Sequence, residues 1–204
     1  MGNIDYFNRG CFTIGNDQTY ECTGTLICGK NRQELVDRLC ELLKSREVEL
    51  IKPTTLEELN SISTDLYNLM MSRFRQMEKE QVNSAYKLKE GIQPRCVIIS
   101  NFNEMFTSGD PKLIEDTRTK ISSVVRLAKA TGLYVFICCD EYKPNILHAD
   151  LINNLVNKFY VDTVSNEEDI YFLDMKHHSK TIADGCTLCI SGSTILQGKI
   201  KDIK

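Results

Sequence analysis

Apolar positions along this chain alternate between two rhythms. Short continuous runs at Gly24 to Gly29, Val48 to Ile51, Cys96 to Ser100, Leu133 to Cys139 and Phe159 to Val161 predict strands. Leu133 to Cys139 has no polar interruption, the pattern of a strand covered on both faces. Between these runs lie stripes at helical spacing. The first covers Asn31 to Ser45 through Leu35, Val36, Leu39, Cys40, Leu42 and Leu43, with Asn31 as N-cap. The second opens on a Thr55–Glu58 capping box and runs to about Glu90, with a break near Asn83. Its buried side is Leu56, Leu59, Ile62, Leu66, Leu69, Met70, Phe74 and Met77, and Arg73, Arg75, Lys79, Lys87 and Lys89 fall on its solvated side. A third helix spans Pro111 to Thr131 and ends at Gly132; a short one covers His148 to Val156. Ser165 caps a further helix over Glu167 to Met175, and Gly185 to Ile203 reads as a hairpin turning at Gly192-Ser193. Strands separated by helices predict an α/β fold with a mostly parallel sheet and a C-terminal β-hairpin.

Length adds that one domain accounts for residues 1–204, with short strands and turns over 1–23 and an α/β core over 24–204. The chain has 25 Lys plus Arg against 28 Asp plus Glu, a net charge of −3, which argues against a nucleic-acid groove. No run approaches the roughly 20 apolar residues of a membrane helix, so this portion is expected to be soluble. Nine cysteines, several inside apolar runs, fit a reducing cytosol. Cys186 and Cys189 form a CxxC without a second pair, and in a strand they point to opposite faces. The adjacent His177 and His178 point apart with no carboxylate beside them, so no metal site is expected.

Chemistry enters at Cys96-Val97-Ile98-Ile99-Ser100-Asn101-Phe102-Asn103-Glu104-Met105-Phe106. A Walker B strand ends in an acid that holds Mg²⁺ through its water shell, followed by a Glu that polarises the attacking water. Here those places hold uncharged Ser100 and Asn101, and Glu104 lies three residues too far along to serve as the base.

In order, Met70-Met71-Ser72-Arg73-Phe74-Arg75-Gln76-Met77, the strand ending Ser100 to Met105, Leu127 to Val135, and Asp184 to Leu188 with Gly198-Lys199-Ile200 resemble the FtsK/SpoIIIE class of ring-forming P-loop ATPases. The resemblance implies a P-loop NTPase-like, RecA-like sheet flanked by helices. It also exposes departures. Where the family places Gly-x-x-Gly-x-Gly-Lys-Ser, whose amides cradle phosphates, the chain reads Gly29-Lys30-Asn31-Arg32-Gln33-Glu34-Leu35-Val36. Leu35 and Val36 stand for the Lys and the metal-binding hydroxyl, and Arg32 and Glu34 for two glycines. Cys139-Asp140-Glu141-Tyr142 replaces the sensor sequence Thr-Gln-Arg-Pro. Leu35, Val36, Ser100 and Asn101 are therefore relic positions, and no enzymatic activity is expected.

Among FtsK/SpoIIIE relatives, the strand and its following loop look like the last domain of type VII secretion coupling proteins of the EssC/EccC class. That resemblance implies a degenerate, catalytically inactive domain of a membrane-anchored protein, at the cytoplasmic face of the membrane. Its expected partners are secreted WXG-type or LXG-type proteins, neighbouring ATPase domains of the same chain and a ring oligomer, with no nucleic acid. No cofactor is expected, although shape and stacking alone can hold adenine. Phe106 and Tyr142, near the C-terminal edge of the sheet, are candidates to line a groove for a helical peptide. The alternatives are a divergent FtsK-like DNA translocase or mobilisation ATPase, and a purely structural ring spacer.

Overall fold

A computed structural model describes residues 11–14, 18–21, 24–43, 47–143, 147–161, 182–191 and 194–203. Strands β1 (Cys11–Ile14) and β2 (Gln18–Glu21) pair antiparallel as a separate two-stranded sheet. The main sheet has seven strands: β3 (Thr25–Cys28), β4 (Glu47–Ile51), β5 (Arg95–Ile99), β6 (Leu133–Cys139), β7 (Asn157–Tyr160), β8 (Cys186–Ser191) and β9 (Thr194–Lys199). Their order is β4-β5-β6-β3-β7-β8-β9, parallel from β4 to β7 and antiparallel over β8 and β9. This is the mostly parallel P-loop NTPase-like sheet, and β6 lies between β3 and β5. The strands carrying the relic positions are thus one strand apart.

The two-residue period of the strands sorts side chains into two cores. Val97, Ile99, Val135 and Ile137 face one layer, formed by α2 (Leu56–Glu80) and α3 (Pro111–Thr131) through Leu59, Leu66, Met70, Val124 and Val125. Ile98, Phe136, Cys138 and Phe159 face the other, where α1 (Gln33–Leu43) contributes Leu35, Val36, Leu39 and Leu43. All seven residues of β6 are buried, as its uninterrupted apolar run predicts. The short helix α4 (Ala149–Asn154) adds Leu151 and Ile152 to the first core.

Two expectations about α2 need correction. The helix stops at Glu80, ten residues short of the predicted end near Glu90. Gln81 takes the left-handed conformation at φ 55°, and the amides of Gln81 and Val82 bond back to Glu78 at 3.1 Å and Met77 at 2.9 Å. The apolar rhythm continues because the reversed chain, a 3-10 turn at Ala85–Lys87, packs Ala85 and Leu88 onto Met77. Arg73 is not on a solvated face but buried. Its guanidinium donates to the carbonyls of Thr131 at 2.6 Å, Gly132 at 3.1 Å and Gln93 at 2.9 Å. The Thr131 and Gly132 carbonyls sit at the C-terminus of α3, where the helix leaves acceptors unpaired and a cation is favoured, and Gln93 lies just before β5. Gly132 closes α3 at φ 66°; a Cβ there would meet Ile92 Cδ1 at 2.5 Å.

The capping box at Thr55 forms, with Glu58 N donating to Thr55 Oγ1 at 3.2 Å. The returning carboxylate accepts from Thr54 rather than from Thr55, at 2.7 Å from its amide and 2.9 Å from its hydroxyl. Strands β8 and β9 pair up to Ser191 and Thr194, flanking the predicted turn. Gly192, Ser193, the predicted helix over 167–175, its cap Ser165, and His177 with His178 lie outside the described residues.

Candidate functional site

Ser100 and Asn101 and the turn leading to Leu35 and Val36 lie at the C-terminal ends of β5 and β3, where open α/β sheets place their ligands. The chain leaves β3 at Gly29, whose amide donates to Cys139 O at 3.0 Å and whose φ is 132°. It enters α1 at Gln33, with Val36 N already donating to Arg32 O at 3.0 Å. A turn of residues 29–32 therefore joins strand to helix. Leu35 and Val36 belong to the apolar face of α1 and pack in the core beneath the site, Leu35 with no exposed surface.

Arg32, standing where the family carries a loop glycine, folds inward. One guanidinium nitrogen donates to Gly29 O at 2.9 Å and to the carboxylate of Asp140, just beyond β6. The second reaches Asn101 Oδ1, just beyond β5, at 3.3 Å. Its side chain is only 12% exposed. One side chain thus ties the ends of all three strands together. Asn101 holds a left-handed conformation at φ 56°, which Asn tolerates better than most residues. Ser100 donates its amide to Ile51 O at 2.9 Å; the residue is 9% exposed, and its hydroxyl has no partner among the described residues.

Two small cavities flank the Arg32–Asp140 pair. One of about 210 Å³ is lined by Lys30, Arg32, Lys52, Ser100, Asn101 and Asp140, with Gln33 and Val36 at its back. The other, about 160 Å³, lies beside Asn103, Glu104, Cys139 and Glu141. Both fall below the roughly 300 Å³ at which pockets for nucleotide-sized ligands begin. In the larger cavity the Arg32 guanidinium is held between the Asp140 carboxylate and the oxygens of Gly29 and Asn101. Among the described residues no group of three His, Cys, Asp or Glu could hold a metal.

Phe106 and Tyr142, the groove candidates, are both buried, at 7% and 3% exposure. Phe106 packs on Phe102 with ring centroids 4.9 Å apart and carries the Arg118 guanidinium 5.1 Å from its own centroid. These side chains anchor the turns after β5 and β6, and they offer no groove in this conformation. Asn103 Nδ2 joins those turns through Glu141 O at 2.6 Å. Glu104 is exposed on the rim of the smaller cavity.

Three residues of the site carry no functional mark in the sequence: Lys52 belongs to no motif, Arg32 stands only for a missing glycine, and Asp140 only for a missing sensor. The available signal is a pair of opposite charges within four residues of the ends of two neighbouring strands.

No protein-family profile and no curated protein sequence matches the chain. Solved structures do match, and they are FtsK/SpoIIIE-type ATPase domains. The pCW3 conjugation coupling protein TcpA, monomer form with ATPγS, superposes with a TM-score of 0.70 at 12% identity, over 97% of this chain and 68% of that one. EssC (ATPases 2 and 3) from Geobacillus thermodenitrificans gives 0.69 at 12%, over 94% and 44%. The cytoplasmic domain of the type VII secretion ATPase EccC from Thermomonospora curvata gives 0.68 at 13%, over 94% and 28%. ATPases 2 and 3 of that EccC have also been solved with a signal sequence peptide. At these identities the likeness is one of fold, and the chain spans less than half of the EssC and EccC structures. No helix among the described residues is long and apolar enough to cross a membrane.

Proposed function

We propose that this chain is a degenerate, non-hydrolysing FtsK/SpoIIIE-like domain of a type VII secretion coupling protein of the EssC/EccC class. On this reading it recognises secreted protein substrates and regulates neighbouring motor domains. Residues 1–204 form that one domain. The observation that supports the reading is the inward fold of Arg32 onto Gly29, Asp140 and Asn101, with Leu35 and Val36 committed to the core. Phosphoryl transfer depends on a phosphate clamp, a metal and a positioned base, and the corresponding places here hold Leu35, Ser100 and Asn101. Neither ATP nor a metal serves as cofactor.

The fold shared with EssC and EccC supports the type VII assignment, and the EccC–signal peptide complex supports a peptide partner. WXG-type or LXG-type proteins are the proposed substrates. The domain works at the cytoplasmic face of the membrane, within a longer anchored chain that forms a ring, and touches no nucleic acid. Calorimetry with ATP and Mg²⁺, followed by phosphate-release assay and titration with a secreted WXG-type protein, tests this. No heat and no turnover with ATP, together with saturable binding of the secreted protein, is the expected result. A second reading is favoured by the likeness to TcpA: a divergent DNA-coupling ATPase. Turnover stimulated by DNA would establish that reading instead.

A further inference from the structure

We propose that the smaller cavity, beyond the Arg32–Asp140 pair, is an ammonium receptor, which takes the lysine side chain of a partner protein segment. The inference rests on the reading of the chain as a partner-binding domain and names the group that the partner presents.

Asn103 is 6% exposed and lines this cavity. Its Nδ2 donates to Glu141 O at 2.6 Å, which fixes the amide, since a flip would set two oxygens against each other. Oδ1 is left as a buried acceptor with no hydrogen-bond partner among the described residues. Buried polar groups are almost always paired, so this position calls for a donor from outside. Two more acceptors come from the same turn and line the same cavity. Thr107 Oγ1 spends its one proton on Glu104 O at 2.8 Å, so only its lone pairs remain. Glu104 is exposed, and its carboxylate has no cation among the described residues.

The neighbouring charges are already committed. Asp140 is held by Arg32, and Glu141 by Lys143 at 2.8 Å. Lys30 also lines the cavity, and its partner lies elsewhere than these three acceptors. Number and shape then select the group. An ammonium has three donors and no acceptor, one for each of Asn103 Oδ1, Thr107 Oγ1 and the Glu104 carboxylate. A guanidinium presents a flat five-donor fork suited to a planar pair of acceptors, whereas these three belong to separate groups. A bare metal ion finds no group of three His, Cys, Asp or Glu among the described residues. The volume of about 160 Å³ suits the ammonium and the end of its methylene chain.

The test is a titration of the ¹⁵N-labelled protein, read at the backbone amides of Asn103, Glu104 and Thr107 and at the Asn103 side-chain amide. The probe is the blocked peptide acetyl-Gly-Lys-Gly-amide, beside its Nε-acetyl-lysine and Arg counterparts, putrescine and MgCl₂. The Lys peptide is expected to shift these signals in a saturable, salt-sensitive way, and the acetyl-lysine peptide to leave them in place. Glu104→Gln and Thr107→Val, both at exposed positions, each weaken the response about three- to tenfold. Glu90→Gln, on the turn that precedes β5, does not. A stronger response to the Arg peptide or to MgCl₂ would overturn the ammonium. A stronger response to putrescine would overturn the side-chain source in favour of a small amine. No response to any amine, the mark of an ordered water at Oδ1, would overturn the receptor itself. Where the secreted WXG-type protein still binds, the partner-binding reading survives that result; loss of both signals would sink both.

Discussion

Arg32 and Asp140 lie 108 positions apart in the chain and form an ion pair across the ends of β3 and β6. Asp140 is 47% exposed, whereas Arg32 is nearly buried, so the two partners are not equivalent. Removing the acid strands a buried guanidinium; removing the arginine releases an acid to water. Asp140→Ala should therefore destabilise by about 1–2 kcal/mol, and Arg32→Ala by less. Urea unfolding of both and of the double variant checks this. The expected coupling energy is about 1 kcal/mol; additive losses would mean the pair is incidental.

Arg73 carries a larger share of the fold. Three carbonyls depend on its fork, and a lysine cannot reach them in the same plane. Arg73→Lys should cost about 1–3 kcal/mol, and Arg73→Ala roughly 3 kcal/mol or more. Thermal unfolding would show the order, and a neutral Arg73→Ala would contradict this account of the α3 terminus.

Glu58 supplies a pH signature. Hydrogen bonds from the Thr54 amide, then from its hydroxyl, hold this carboxyl below its ordinary value. A depressed carboxylate stabilises the native state above its unfolded pKa of about 4.3, and the contribution is lost as pH falls through the lower native value. Glu58→Gln should thus lower the melting temperature near neutrality, and the gap between variant and parent should narrow below about pH 4. Calorimetric scans over pH check it; a constant gap would reject the cap.

The cysteines divide by burial. Burial raises the Cys138 and Cys189 thiols to about 12, and Cys139 is raised by its hydrogen bond to Cys28 and by burial. Thiolate is the reactive form, so iodoacetamide at mildly alkaline pH should spare these three in the native protein. The half-buried Cys186 should label first among the described cysteines. Peptide mass spectrometry with and without denaturant reads the pattern; fast labelling of Cys138 would show an opening of the sheet.

How much of this was legible in the sequence depended on the range of the interactions. Local rhythm placed the strands from Thr25 to Tyr160 and helices α1 and α3, because periodicity reports which side of an element meets the core. It failed at Gln81 because the apolar spacing continues smoothly past a reversal that only the backbone reveals. Arg73 was misplaced for a related reason. As a charged residue beside the exposed Ser72, it reads as surface until the end of α3 arrives 58 residues later to receive it. At the site, the motif positions were readable one by one, but the inward fold of Arg32 was not. Its partners come from two other strands. Phe106 and Tyr142 looked available because aromatic residues in polar loops carry no mark of whether the loop turns inward.

The commitment of Leu35 to the core also sets a direction on change. Restoring a lysine at that position would insert an ammonium among Val36, Leu39, Phe136 and Phe159, where an unpaired charge is strongly disfavoured. Restoring the loop glycine at Arg32 would first remove the strap between three strands. No single substitution leads back to a phosphate-binding loop through a stable intermediate. On the proposed non-hydrolysing reading the architecture works as a ratchet, in which Ser100 and Asn101 can vary without restoring a phosphate-binding loop.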